Sequence, residues 1–456
     1  MGCPGEALGL ASNFLFSQLQ IHSPKRNRRL QTGWEGFFPY YAGFPEAFAR
    51  GLIGSASLPQ GAVVLDPWNG SGTTTYTASR LGLHSIGLDL NPVMVIVARA
   101  RLLPRSEADS IEPLSRDILR SLRGNRAGCD DDDPLLIWFA PDSASVIRAI
   151  EASIRSHLVG SLTITPDGTR LDRISGMAAT FYVALFTACR TLAAPFKSSN
   201  PTWLRKPRDE EAKLKVSKKA ITKLFRQNLT SMAAALLAQS SQPDLLLGEN
   251  SGHEIRLGDS TSSDEYPESV DLVLTSPPYC TRIDYTAATR VELAVAAPIL
   301  NTSVGDLGRR MIGSTRVPEH DPEPSEQWGA VCLSFLERLR GHRSKASAGY
   351  YYRTHLDYFH KMSQSLQNVS TALKPGAAAV LVVQNSYYKD VHNDLPAMIR
   401  EMGEAAGLCL ERSEEFRWQR SMSGVNPYTR VYNRERGALE AVLCFSKNSS
   451  SSPVPS

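Results

Sequence analysis

Residues 275–279, Thr275-Ser276-Pro277-Pro278-Tyr279, set hydroxyls, two rigid imino acids and an aromatic ring directly after a buried-strand pattern, Val270-Asp271-Leu272-Val273-Leu274. Consecutive prolines cannot donate to a strand ladder or continue a helix, so the chain must leave a sheet here in a stiff loop. A stiff loop holds carbonyl oxygens and a hydroxyl at fixed positions beside a ring. That arrangement suits a planar base bearing an NH2 group. The amine would donate to Ser276 and to a main-chain carbonyl near Pro277, while Tyr279 stacks on the ring. Standing alone, a Pro-Pro-Tyr would read as no more than a turn.

It does not stand alone. Far upstream, Val63-Val64-Leu65 is a short apolar run ending at Asp66, and Pro67-Trp68-Asn69-Gly70-Ser71-Gly72-Thr73-Thr74 then turns into a helical pattern. This reads as the first strand–turn–helix unit of an open parallel sheet, in which ligands sit at the carboxyl ends of strands. Gly70 and Gly72 let the backbone come close to a ligand. Neither G-x-G-x-x-G nor G-x-x-x-x-G-K-[ST] is present, so nothing here is built to cradle phosphates. The next strand, Ser85-Ile86-Gly87-Leu88, ends in Asp89, followed by Leu90-Asn91-Pro92. An acid there is placed to accept hydrogen bonds from ribose hydroxyls. Either half alone would read as a glycine turn or a surface acid; together they predict an adenosine site without phosphate contacts.

The elements that must position these groups fall into four regions. Residues 1–104 hold a basic cluster at 25–29, an aromatic stretch at 34–48 and the first half of a sheet core. Residues 105–250 read as a mostly helical insertion, broken by four acids at 130–133 and by a loop near Pro201. Residues 251–446 return to alternating strands and helices, and 447–456, Ser-rich with two prolines, read as a disordered tail. A chain of 456 residues exceeds one compact core, which fits a core with a large insertion. The net charge of only +4 means that any attraction for nucleic acid must come from local patches. Seven scattered cysteines form no C-x-x-C pair, so neither a zinc site nor a disulfide framework is indicated. The start lacks the features of a signal peptide, and no apolar run approaches membrane-spanning length, so a cytoplasmic protein with no membrane partner and no metal is expected.

The motifs resemble those of the amino-methyltransferases of DNA. Asp66-Pro67-Trp68-Asn69-Gly70-Ser71-Gly72-Thr73-Thr74 resembles their motif I, and Thr275-Ser276-Pro277-Pro278-Tyr279 their catalytic motif IV. Tyr41-Ala42-Gly43-Phe44-Pro45-Glu46-Ala47-Phe48 looks like motif X, and Leu373-Lys374-Pro375-Gly376 with residues 377–383 like the fifth strand of the sheet. The resemblance implies an α/β fold: a Rossmann-like sheet of the S-adenosylmethionine-dependent methyltransferases, with helices on both faces and a largely helical insertion. It implies S-adenosylmethionine as cofactor. Asp66 and the turn of Gly70, Ser71 and Gly72 would hold its amino-acid part and Asp89 its ribose, with Pro67, Thr73 and Asn91 also among the cofactor-binding residues. Asp259, in Arg256-Leu257-Gly258-Asp259-Ser260, would bond the adenine amine, and Phe44 and Pro45 would pack against the cofactor. Ser276, Pro277, Pro278 and Tyr279 would form the catalytic loop. Trp68 departs from the more usual Phe but keeps an aromatic ring.

The activity implied is site-specific DNA methylation on an exocyclic amine, as in restriction-modification. Ser276 in the first position of the loop leans toward cytosine N4; adenine N6, or a base of RNA, is the alternative. Such transfer works by alignment, with reacting atoms about 3–3.5 Å apart, and needs no covalent intermediate. A flipped-out base would stack on Tyr279. Cys280 invites the cytosine-C5 mechanism, but it follows a tyrosine and no basic group is placed to activate it. Glu211-Ala212-Lys213 could mimic half of a nuclease motif, but the nearest upstream Pro-Asp is too far away. A non-catalytic nucleic-acid-binding component of a defence complex is a further alternative, opposed by the intact loop and both cofactor acids. For target contact, residues 205–226 carry nine basic residues (Arg205, Lys206, Arg208, Lys213, Lys215, Lys218, Lys219, Lys223 and Arg226) against three acids, with Trp203 just before them. A basic helix beside an aromatic ring suits phosphate contact, though a solvated helix face fits nearly as well. Residues 279–285, Arg309-Arg310, 350–353 and 385–389 are further candidates.

Overall fold

A computed structural model describes residues 16–25, 37–38, 43–122, 128–159, 164–165, 168–198, 204–238, 252–280, 285–316, 320–418 and 438–448. The apolar, β-branched run found in the sequence forms β1, Val63–Asp66. The glycine turn follows and opens α2, Thr73–Arg80, while α1, Glu46–Ser55, precedes the strand. β2, His84–Asp89, leads through Asn91, whose side chain accepts from Val93 N–H, into α3, Pro92–Arg101. Asparagine at the cap and proline at the first helical position are a matched start signal.

Four helices fill the long insertion: α4 (Ala108–Ser121), α5 (Pro141–Leu158), α6 (Gly176–Leu192) and α7 (Lys218–Ala238). The chain then re-enters the sheet as β3 (His253–Leu257) and β4 (Val270–Thr275). Beyond the catalytic-loop motif come α8 (Arg290–Ala296), α9 (Val304–Arg310), α10 (Ala330–Arg340) and α11 (Tyr352–Ala372). β5 (Leu373–Gln384), α12 (Leu395–Ala405), β6 (Leu408–Trp418) and β7 (Ala438–Lys447) complete the elements that matter here.

The seven strands run in the order β6–β7–β5–β4–β1–β2–β3. β3, β2, β1, β4 and β5 pair in parallel, and β7 runs antiparallel between β5 and β6. The order reverses between β1 and β4, so a crevice opens at their carboxyl ends. This is the Rossmann-like α/β architecture expected from the sequence, with helices on both faces. Val64, Leu272, Val380 and Val442 share a core with α1, and Leu65, Val273, Leu381 and Leu443 share one with α10, α11 and α12.

The insertion does not stand apart from the sheet. α6 is buried over most of its circumference: Phe181, Tyr182, Val183, Ala184, Leu185 and Phe186 are all fully buried. A helix that is apolar all round must be covered on all sides. α6 lies between α3 and α7, in one hydrophobic core with Val93–Val97 of α3 and Ile221, Phe225, Leu229, Met232 and Leu236 of α7. The basic segment is only partly helical. Lys218, Lys219, Lys223 and Arg226 lie on α7, while residues 205–215 precede it as a largely irregular stretch. Trp203, Tyr41, Ala42, residues 26–29, 281–284 and 449–456 lie outside the described residues. Among the described residues no helix is long and apolar enough to cross a membrane, and no group of His, Cys, Asp and Glu could hold a metal ion.

Candidate active site

The carboxyl ends of β1, β2, β3 and β4 converge on one cleft. It is lined by Phe44, Asp66, Pro67, Gly70, Ser71, Thr73, Asp89, Asn91, Asp259, Ser276, Pro277 and Pro278, and its open space, mouth included, is about 880 Å³. That is room for a nucleoside-sized ligand. Residues from five separate stretches of sequence thus meet at one place. Pro45, Gly72 and Tyr279 are not among the lining residues. Pro45 is the N-cap of α1 and Gly72 the N-cap of α2. Gly72 has φ +77°, and a Cβ there would lie 2.9 Å from Ala98 Cβ, so glycine brings α2 close against α3.

Asp66 is buried and its carboxylate is spoken for. It accepts from Thr275 Oγ1 (2.6 Å), Thr74 Oγ1 (2.7 Å) and Trp68 N–H (3.1 Å). These bonds knot β1, α2 and β4 together just behind the cleft. Burial raises its pKa to about 6, although all three hydrogen bonds pull the other way. Asp89 is half-buried. Its two oxygens accept from Gly70 N–H and Asn91 N–H, each at 2.8 Å. Burial pushes its carboxyl up to about 7, against those two hydrogen bonds and aided by the charge of Asp66. Asp259 accepts from Thr261 N–H and Oγ1 at 3.1 and 2.8 Å, and Arg310 approaches its other oxygen at 3.4 Å.

The Thr275–Tyr279 loop is anchored at Thr275, Ser276, Pro278 and Tyr279. Ser276 Oγ donates to the Val382 carbonyl of β5 at 3.1 Å, which leaves its lone pairs as acceptors. The Pro278 carbonyl accepts from Tyr358 OH, Tyr279 N–H donates to Tyr285 OH, and the Cys280 carbonyl accepts from Ser386 Oγ. Cys280 is itself buried, and burial pushes its thiol up to about 12, far from a reactive thiolate. Gly313, at φ +76°, lies so close that a Cβ there would meet the Tyr279 carbonyl at 3.1 Å.

Three carboxyls and one cation, Arg310, face the cleft, with apolar Leu90, Met94, Met311 and Ile312 between them. This set of mostly acceptor groups suits a ligand with hydroxyls and positive charge and repels phosphates. It fits S-adenosylmethionine, whose ribose offers hydroxyl donors and whose sulfonium and amino groups are cationic. Two buried donors of the same turn, Trp68 Nε1 and Asn69 Nδ2, have no partner among the described residues. Tyr285, the last residue of the 279–285 candidate stretch, lines the cleft, and it is joined there by Met94, Met311 and Ile312, which the sequence does not single out. They lie outside any motif, and only the fold brings them to the cleft.

Comparison with known proteins points the same way. Residues 13–99 match the family model described as DNA methylase. The match covers α1, β1, the glycine turn and β2, the elements that carry Asp66 and Asp89. Among curated relatives, type II methyltransferase M.BsoBI of Geobacillus stearothermophilus is 44% identical over 54 residues, 12% of this chain and 11% of the relative. M.SmaI of Serratia marcescens is 40% identical over 86 residues, 18% of this chain and 28% of the relative. M2.DpnII of Streptococcus pneumoniae is 38% identical over 76 residues, 17% and 27%. The chain thus spans less than a third of each relative's length. A solved structure of the rRNA methyltransferase aviRa from Streptomyces viridochromogenes matches with a TM-score of 0.28 and 12% identity, covering 90% of this chain and 87% of that one. The fold assignment rests on the strand order described above.

Proposed function

We propose that this protein is a DNA methyltransferase that moves a methyl group from S-adenosylmethionine to an exocyclic base amine, cytosine N4 in the first instance. The observation that carries this reading is the convergence of an acid-lined, phosphate-repelling cleft and a rigid Ser276-Pro277-Pro278 edge in one pocket. The match to a DNA methylase family and to type II methyltransferases supports it.

When bound, S-adenosylmethionine supplies an activated methyl group. Asp89, capped by two backbone N–H groups, has lone pairs left for ribose hydroxyls. Asp259 is the acid for the adenine amine, and Phe44 packs along the cleft wall. Asp66 acts at one remove, by holding Thr74, Thr275 and the turn in place. At the other edge, Ser276 Oγ and the Pro277 carbonyl would accept hydrogen bonds from the two N–H groups of the target amine, and the proton shed by the methylated nitrogen would leave to solvent. Those hydrogen bonds draw the nitrogen toward a tetrahedral form as positive charge develops on it. Preference for cytosine N4 rests on serine at position 276, and a restriction-modification role rests on the type II relatives. Purified chain incubated with labelled S-adenosylmethionine and unmethylated DNA, followed by nucleoside mass spectrometry, tests the reading. N4-methylcytosine is expected. N6-methyladenine would keep the mechanism and change the base, label in RNA alone would change the substrate, and no base methylation would overturn the proposal.

A further inference from the structure

The peptide unit joining Pro278 to Tyr279 is held at both ends by tyrosine hydroxyls from different elements. Tyr358, on α11 and 1% exposed, donates to the Pro278 carbonyl at 2.8 Å. Tyr285, just beyond the loop and lining the cleft, accepts Tyr279 N–H at 3.0 Å. Burial pushes both phenols above their usual range, so both hydroxyls keep their protons. Filling space in these positions would need only the rings; the hydroxyls are aimed at one peptide group.

That peptide group is a rigid plate, because its C–N bond does not rotate freely. The φ of Pro278 is locked by its ring near about −65°. Only one soft torsion, ψ of Pro278, therefore separates the clamped plate from the Pro277 carbonyl. Tyr285 is tied in turn to the cofactor side of the cleft. Its own carbonyl accepts from Thr289 Oγ1 at 3.1 Å, Thr289 Oγ1 accepts from Asn91 Nδ2 at 3.0 Å, and Asn91 N–H donates to Asp89. A continuous set of hydrogen bonds thus runs from the ribose-binding acid to the loop.

We propose that Tyr285 and Tyr358 are a pair of positioning residues that fix the Pro278–Tyr279 peptide, and through it the Pro277 carbonyl, against the methyl-accepting amine. The proposal rests on the methyl-transfer reading above. Its test uses the full chain with Tyr285→Phe, Tyr358→Phe and the double variant, measuring kcat and KM on DNA, cofactor affinity by calorimetry and thermal unfolding. Each single variant should lower kcat about five- to tenfold, the worth of one hydrogen bond, with cofactor affinity and melting temperature nearly unchanged. Releasing either end frees the plate, so the double variant should lose no more than the worse single one. Unchanged kcat in both singles overturns the proposal. So does a double variant whose loss is the product of the two, or a loss of kcat that tracks a fall in melting temperature. If the unaltered chain methylates no base, the functional reading itself fails and takes the pair with it, an outcome distinct from an active enzyme indifferent to both hydroxyls.

Discussion

Asp89 is the residue on which the cleft's pH behaviour turns. Its carboxyl is raised to about 7 by burial, so near neutrality it is shared between acid and carboxylate. The carboxylate is the form that accepts strongly from hydroxyls and attracts a cationic ligand. Cofactor affinity should therefore tighten as pH rises through about 7, and calorimetry between pH 6 and 8 should show Asp89→Asn to be flat over the same window. A variant that kept the wild-type slope would move the titrating group elsewhere. Stability runs the other way. The folded state holds a proton on Asp89 that the unfolded chain gives up near pH 4, so this group's contribution falls as pH climbs from there to about 7. Removing the carboxyl altogether, as Asp89→Ala, should weaken cofactor binding by about 1–3 kcal/mol through the loss of charge-assisted bonds. Cys280 gives the complementary test. With its thiol buried and pushed up to about 12, Cys280→Ser should keep most of the activity, and a fluorinated cytosine should trap no covalent adduct.

Among the elements, the helical layer depends on a few buried charges. Arg148 of α5 holds Asp133 through two bonds of 2.8 Å and donates to the Ala294 and Val295 carbonyls at the end of α8. It thereby joins the insertion to the stretch that carries Tyr285. Arg148→Met would strip the Asp133 carboxylate of its cation and two carbonyls of their donor, leaving Asp133 its bond from Leu135 N–H, and urea unfolding should show a loss of about 3–5 kcal/mol. None of this is legible in the sequence, where Asp133 is one of four acids breaking a helical pattern. What is legible has a local cause. β1, the glycine turn and β2 announce themselves because an apolar run, an acid and a glycine at φ +77° each have a local physical signature. The catalytic-loop motif is equally plain, since two prolines leave the backbone few conformations. Tyr285, Tyr358 and Met311 carry no such signature, because their roles depend on neighbours brought together across long stretches of chain. The same limit explains the basic segment. Nine charges within 22 positions suggest one helix, yet residues 205–215 are drawn into a largely irregular stretch, where Leu214 N–H donates to the Trp138 carbonyl.

At the scale of the whole molecule, the direction of α6 decides which of those charges can meet DNA. Asn91 starts α3 at the cleft, and Gly176 starts α6 beside Arg99 and Leu103 at the far end of α3. α6 therefore begins away from the cleft and runs toward it, and its last turn reaches Glu292 and the Ala288 carbonyl through Arg190. Phe225 packs on Phe181, and Asn228 Nδ2 donates to the Ala184 carbonyl, so the middle of α7 rests on the middle of α6. Its basic first turns, with Lys219 and Lys223, lie against α4, where Lys218 Nζ donates to the Leu122 carbonyl and Arg226 pairs with Glu112. Arg205 N–H, by contrast, donates to the carbonyl of Phe196, just past the cleft-side end of α6, which places exposed Lys206 and Arg208 nearer the cleft. On the proposed reading, a base entering at Ser276 would bring its flanking phosphates to that end of the layer. Every ion pair with a phosphate that a substitution removes should flatten the log-affinity versus log-salt slope by about one unit. Lys206→Gln with Arg208→Gln should therefore flatten the slope by about two units, and Lys219→Gln with Lys223→Gln should leave it unaltered. Fluorescence anisotropy titrations on one duplex at several salt concentrations would decide between them. Flattening by the Lys219 and Lys223 pair alone would put the DNA along α4 instead of beside Lys206 and Arg208.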